Sequence, residues 1–416
     1  MNYDRSFAIY QDKKPLRIER IIFTIDSKSD NTGGMKTEKF QTGKVSLVAF
    51  SHFVHDVYTS FLAPLLPLII EKLSLSLAQA GLLSTIMQIP ALLNPFIGLF
   101  ADSRRLARWL VILAPTLTAI PMSLIGLASS YWMLLAMLFA AGTSVALYHV
   151  PAPVMVAELS GNRTGRGMSL FMTGGELSRT LGPMIAVGMV SVAGLEGFYP
   201  VMLLAFMTSV FLYLNLDPAE PRKGKKPKRS LKATYMEIRH VMVPLAGIMT
   251  TRAFMHASMG VFLTVYVEDK TGSLWLGGAA LTLYEAFGVA GVLSSGTLSD
   301  WMGRQRVLFW ALIIAPVAIF GFIFTQGILQ ILLLAVVGFT VLSTTPVMLA
   351  FVQDHAKEHP ASANGLFMMT SFAVRSIAVT IVGFIGDLAG LDMMFIVSGI
   401  SGVLAVPFLL KLKHLN

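Results

Sequence analysis

The sequence predicts an all-α membrane protein: twelve transmembrane helices in two six-helix bundles related by pseudo-symmetry. Three observations carry this expectation. The chain is 55% hydrophobic and only 13% charged, about half the charged share of a soluble protein. Its apolar residues fall into blocks of about 20, the length at which a helix crosses a bilayer. Lys and Arg gather in alternate connections between those blocks, and a polar motif after the second block returns after the eighth.

The first 44 residues are polar and mixed in charge, with "IIFTI" as their apolar run. That run is too short for a signal-peptide core, so residues 1–44 read as a cytoplasmic tail. Met35 offers a second start, which would make residues 1–34 dispensable. Six blocks follow, at 45–70, 77–101, 109–128, 131–153, 168–193 and 198–216, and make the N-terminal bundle, 45–216. "DPAEPRKGKKPKRSLKATYMEIRH" is a basic linker over 217–240. Blocks at 241–267, 274–299, 307–324, 328–352, 363–389 and 393–410 make the C-terminal bundle, 241–416. There is no cysteine, which excludes disulfides and thiolate metal sites. The net charge of +9 sits in short connections, a pattern that speaks for membrane topology and against nucleic acid.

Connections after even-numbered blocks hold Arg104, Arg105, Arg108, Arg163, Arg166, the basic linker, Arg304, Arg306 and Lys357. Those after odd-numbered blocks hold Lys72 and Lys270. The positive-inside bias therefore places both termini and the linker in the cytoplasm of a cell (inner) membrane. The halves also match each other. "GLFADSRRLAR" (98–108) follows the second block and "GTLSDWMGRQR" (296–306) the eighth. "FVHD…SFL" in the first block answers "FMHA…VFL" in the seventh, aligning His55 with His256.

A parallel six-plus-six repeat around a basic central loop resembles the plan of the major facilitator transporters. The second copy of the loop motif matches that family at Gly296, Asp300, Gly303, Arg304 and Arg306, while the first keeps Gly98 and Asp102, with Arg105, but has Leu106 and Ala107 where glycine and a basic residue are usual. The resemblance implies a gating role for this loop, through charge pairs and helix-end contacts. "SHFVHD", "LSLSLAQAGLL…NPFIGLFAD", "GTSVALYH", "GGELSRTLGP", "AFVQD" and "ANGLF" are similar to the fosmidomycin-resistance exporters, over most of residues 45–410. That branch implies export of a small molecule against protons. This sequence departs from it in the "VPAP" after His149 and in the charged Glu176, Arg179 and Arg375. "LGP" (181–183) after Gly174 and Gly175 resembles the antiporter glycine–proline motif.

Charges within the blocks set the candidate site. Each costs about 3 kcal/mol or more in hydrocarbon, so it must face protein or water. Blocks 3, 6, 9 and 12 hold none, which suits outer helices. Asp56, Arg179, Arg252, Glu285 and Arg375 all fall about 11 or 12 residues into their blocks, roughly mid-bilayer at 1.5 Å per residue. With Glu176 they form one layer of three acids and three arginines. Arg179, Arg252 and Arg375 are candidates for binding an anionic substrate, since bidentate guanidinium contacts suit carboxylate or phosphate. The competing expectation is that they only neutralise Asp56, Glu176 and Glu285.

Asp56, Glu285, Glu176 and His52 are the candidates for proton coupling. A buried acid beside an arginine is ionised when paired and protonated when substrate takes the arginine. His55, His256, Tyr58 and Tyr284 are candidates for the pocket wall, and His149, placed near the end of block 4, for gating. His52, His55 and Asp56, at i, i+3 and i+4, could bind a divalent transition metal, so a metal or metal-chelate cargo is the alternative reading. A non-transporting receptor is the alternative of another class. No catalytic triad or phosphate-cradling glycine loop is present. The expectation is a non-enzymatic, monomeric transporter without a cofactor, acting by alternating access on a small molecule and protons.

Overall fold

A computed structural model describes residues 40–94, 97, 104–217, 231–356 and 360–413. Every described element is helical. The helices are α1 Thr42–Thr59, α2 Leu62–Leu73, α3 Leu77–Gln88, α4 Arg104–Ser123, α5 Tyr131–His149, α6 Pro151–Leu159, α7 Thr164–Ala193 and α8 Leu203–Asn215. They continue with α9 Leu231–Val261, α10 Leu263–Thr271, α11 Leu274–Met302, α12 Arg304–Phe324, α13 Gly327–His355, α14 Pro360–Ala389, α15 Leu391–Val403 and α16 Val406–Lys413. Nine stretches among the described residues are long and apolar enough to cross a membrane. Neither α7 nor α9 is among them; these helices carry Glu176, Arg179 and Arg252 at mid-length, and the same residues that lower their apolarity build the central layer.

Short interruptions are explained locally. The first span bends between α1 and α2, where Pro64 lacks the N–H that would bond the Ser60 carbonyl. α9 and α10 are likewise separated by a short break, at Phe262. α5 and α6 form one continuous apolar stretch, Tyr131–Leu159. The prolines of "VPAP" therefore lie inside it, Pro151 being tolerated in the first turn of α6. Gly303, at φ +89°, makes the corner between α11 and α12, a conformation that a β-carbon would strain. The linker's last residues, from Leu231, are already the first turns of α9.

The segment 42–215 meets the segment 231–413 chiefly through α3 with α14 and α7 with α11, with α2 adding smaller contacts to α10 and α11. α3 and α14 run close together, and a β-carbon at Gly81 would lie 2.7 Å from the Val379 carbonyl oxygen. The join is tightest at the end carrying Leu77. There Asp387 of α14 accepts from the N–H groups of Leu77 (2.6 Å) and Ala78 (2.8 Å). Ser76 and Gln79 satisfy each other's N–H in a capping box. All four N–H groups that a helix start leaves open are thus bonded. Deeper in, Thr85 donates to the Ser376 carbonyl at 2.8 Å.

At the opposite end, contacts hold each half together. Arg304 grips Asp354 through two of its three nitrogens, Nε and Nη2. Arg108 donates to the Leu216 and Tyr213 carbonyls, closing the end of α8. Gln305 does the same for Leu412 at 2.8 Å.

Candidate functional site

The predicted mid-depth charges divide into two clusters. The first belongs to α1 and α5. Asp56 Oδ1 lies 2.8 Å from His55 Nδ1, and Oδ2 lies 3.1 Å from His52 Nε2 and 3.4 Å from His149 Nε2. His149 is therefore at the depth of Asp56 and not at the end of a span, because the helix continues past it through α6. Each imidazole is fixed from behind. His52 Nδ1 donates to the Phe171 carbonyl at 2.8 Å and His149 Nδ1 to the Val145 carbonyl at 3.0 Å. His55 Nε2 meets Thr118 Oγ1 at 3.0 Å, and Thr118 passes its own proton to Ser144 at 2.8 Å. Phe171 stacks on His52 and Tyr148 on His55, with centroids 4.0 and 4.3 Å apart. Gly175 of α7 lets the His52 ring sit against the helix backbone; a β-carbon there would lie 2.6 Å from it.

The second cluster straddles the two halves. Arg179 donates to Glu176 at 2.5 Å on its own helix and faces Glu285 of α11 at 3.6 Å. Arg375 of α14 donates to Gln88 of α3 at 2.6 Å, and its Nη1 lies 3.4 Å from His256 Nε2. His256 Nδ1 is 3.1 Å from the Tyr284 hydroxyl. Arg252, buried, donates to the Val341 carbonyl at 2.9 Å. Arg375 is within electrostatic reach of Arg252, Arg179, Glu285 and Tyr284.

The charge balance is uneven. Both acids of this cluster are engaged with Arg179, and among the described ion pairs neither Arg252 nor Arg375 has a carboxylate partner. Asp56 is enclosed by histidines. In this second cluster three arginines thus meet two acids, an excess of one positive charge there.

Several sequence expectations fall elsewhere. Tyr58 is buried and donates to the Val201 carbonyl at 2.6 Å. Its ring packs edge-on against Phe61, with centroids 5.3 Å apart. His55 is fully buried with both ring nitrogens engaged, so His149 and not His55 completes the trio with His52 and Asp56. Gly98 and Asp102 lie outside the described residues, as do the side chains of Arg105 and Asp300. Gly296 meets open space, Gly303 turns the corner, and Arg306 sits in the first turn of α12. Sequence reasoning missed Gln88, Thr118, Phe171 and Asp387. Gln88 carried a readable signal, since it lies 11 residues into the second block.

A multi-pass helical membrane protein whose halves meet at a mid-depth layer of charge has the build of a secondary transporter. Residues 48–379 match the family description Major Facilitator Superfamily. The chain belongs to that superfamily, and it is a transporter and not an enzyme. It is 24% identical over 366 residues to the fosmidomycin resistance protein of Escherichia coli (strain K12), covering 85% of this chain and 88% of that one. It is 28% identical over 309 residues to the multidrug resistance protein MdtG of Serratia proteamaculans, covering 69% and 74%. Among solved structures it resembles the nucleoside transporter NupG, with a TM-score of 0.73 and 15% identity over 89% of this chain and 99% of that one. A bacterial homologue of the human lysosomal transporter Spinster, solved inward-facing and unoccupied, gives a TM-score of 0.76 at 14% identity, over 90% and 97%.

Proposed function

We infer that the chain exports a small organic compound with anionic character, in exchange for protons, by alternating access of two six-helix bundles. In this reading the bundles span 45–216 and 241–416, with a basic cytoplasmic linker over 217–240 and both termini in the cytoplasm of the inner membrane. The transporter acts as a monomer. The observation that carries the reading is a pair of guanidiniums with no carboxylate partner among the described ion pairs, Arg252 buried and Arg375 partly buried, beside an Arg179 already held by Glu176 and Glu285. A carboxylate or phosphate completes that set with charge-assisted, bidentate contacts. The names of the relatives, which speak of fosmidomycin and multidrug resistance, favour export of antimicrobial compounds.

Glu285 is the proton carrier of this reading. Its counter-charge, Arg179, belongs to the other half, so separating the halves leaves a buried carboxylate alone and a proton replaces the arginine. Were the anion to take Arg179 itself, the acid would gain its proton as substrate bound, and the two would travel together. Because Arg252 and Arg375 are the cations without a carboxylate, the anion is carried while Glu285 keeps Arg179, and the proton is carried when that pair has parted. Alternation of this kind is antiport.

Proteoliposomes loaded with a pH dye test the reading, under an imposed pH gradient and a screen of anionic antimicrobials. Substrate and protons are expected to move in opposite directions, and Glu285→Gln is expected to bind substrate without moving protons. Protons travelling with the substrate would overturn antiport, and no pH change for any anion would overturn the coupling.

A further inference from the structure

The first cluster contains a convergence that proton transport does not require. In their neutral forms His52 and His149 each have one N–H, and in both it is spent on a backbone carbonyl, Phe171 for His52 and Val145 for His149. Each ring therefore turns a bare Nε2 lone pair inward. The two nitrogens lie 3.3 Å apart, and Asp56 Oδ2 lies 3.1 Å from one and 3.4 Å from the other. Three electron-pair donors, from two different helices, thus point at one spot with no hydrogen between them.

Their spacing is informative. A divalent transition metal binds imidazole nitrogen and carboxylate oxygen at about 2.0–2.1 Å, and a tetrahedron of that radius has edges of about 3.3–3.4 Å. The observed 3.1, 3.3 and 3.4 Å form one face of such a tetrahedron. Every member also has the outer partner that metal ligands use to hold their orientation: Phe171 O behind His52, Val145 O behind His149 and His55 Nδ1 on the far oxygen of Asp56. Aromatic stacking from Phe171 immobilises the His52 ring. The site is sheltered but reachable, since the side chain of His149 is 34% exposed against 5% for His52.

We propose that His52, Asp56 and His149 form a three-ligand site for a divalent transition metal of the zinc class, with water in the fourth position. Two imidazoles and a carboxylate suit such borderline ions and not magnesium or calcium, which prefer all-oxygen shells. The metal ties α1 to α5 within one half of the molecule. The proposal stands apart from the arginine layer and from the transport reading, because it is tested on purified protein whether or not that protein transports.

The experiment is titration of the full chain in detergent with Co(II), followed by its visible d–d absorption and by competition with Zn(II). One equivalent is expected to bind with the intense bands of low-coordinate cobalt and to be displaced by zinc. His149→Ala is expected to weaken binding by more than the roughly 10–100-fold that even an outer partner of a metal ligand costs. His149→Cys keeps a ligand and adds a thiolate-to-cobalt charge-transfer band, which places the metal at this residue even if the alanine variant folds poorly. Absence of saturable one-equivalent binding, unchanged affinity in a monodisperse His149→Ala protein, or no charge-transfer band in His149→Cys would each overturn the site. The first of these outcomes would leave the convergence to be filled by a shared proton only.

Discussion

The two halves carry the same motif to opposite ends. Aligning "FVHD" with "FMHA" places Asp56 opposite Ala257, His52 opposite Ala253 and Ser51 opposite Arg252. In the first half, the carboxylate gathers three histidines and every member finds its partner within that half. In the second half the acid is missing and a guanidinium has been added, so His256 leans on Tyr284 and Arg375. The nearest acid on that side, Glu285, is turned across the interface to Arg179. A few exchanges within two turns of helix therefore separate a self-contained polar cluster from an open cationic one. Asymmetry of this kind lets one half hold a fixed structure while the other binds cargo.

The comparison breaks first at the arginines. If the open cluster is the anion site, Arg375→Ala or Arg252→Ala removes a charge-assisted contact of roughly 1.5–3 kcal/mol. Apparent substrate affinity then falls about 10–100-fold, read by binding or by the substrate dependence of transport. Unchanged transport in either folded variant would reassign these arginines to structure. Arg375 carries the sharper test, because it also bonds Gln88 of the other half and its loss loosens the join between α3 and α14.

Gly175→Ala strikes the closed cluster. The added β-carbon would sit 2.6 Å from His52 Cε1 and 2.9 Å from Nε2, so the ring must leave Asp56, Phe171 or both. Overpacking of this sort costs about 1–3 kcal/mol. A lowered unfolding temperature is expected in detergent, together with weakened Co(II) binding if the trio is a metal site. A variant with wild-type stability would show that the ring has room to retreat.

Part of this arrangement is legible in the sequence. The depth of the charges could be counted from the span starts, and the repeat of "SFL" with "VFL" coincides with the two helix breaks at Phe61 and Phe262. Which charges pair was not legible, for a physical reason. Counting residues along a helix gives depth to within a turn, whereas partner choice depends on rotation about the axis and on which helix lies alongside. His52, His55 and Asp56 share a helix, yet His52 and Asp56 meet His149, 97 positions from His52, while His55 turns to Thr118. His149 was misplaced because prolines ordinarily end a helix, and here "VPAP" continues into α6. Asp387 escaped notice because its role, bonding the open N–H groups of another helix, exists only across the interface.

That carboxylate supplies the last contrast, between bonds that join the halves and bonds that lie within one. At the Leu77 end three acids hold partners. Glu196 pairs with Lys72 inside the first half, Asp392 with Lys270 inside the second, and Asp387 alone reaches across. The first two pairs are largely exposed, so solvent screens them and they contribute little. Asp387 occupies a helix N-terminus, where a negative charge adds about 0.3–1 kcal/mol beyond its hydrogen bonds. Asp387→Asn keeps one acceptor oxygen and loses the charge, so this end is expected to open about 5–30-fold more often, for a cost of about 1–2 kcal/mol. The chain has no native cysteine, so a single cysteine introduced beside Leu77 reports opening through its labelling rate. Lys270→Ala serves as the comparison. It removes a bond of similar length at the same end without crossing between halves, and it is expected to leave the labelling rate unchanged. Equal acceleration by both variants would mean that general loosening of this end, and not the bond between α3 and α14, keeps the halves closed.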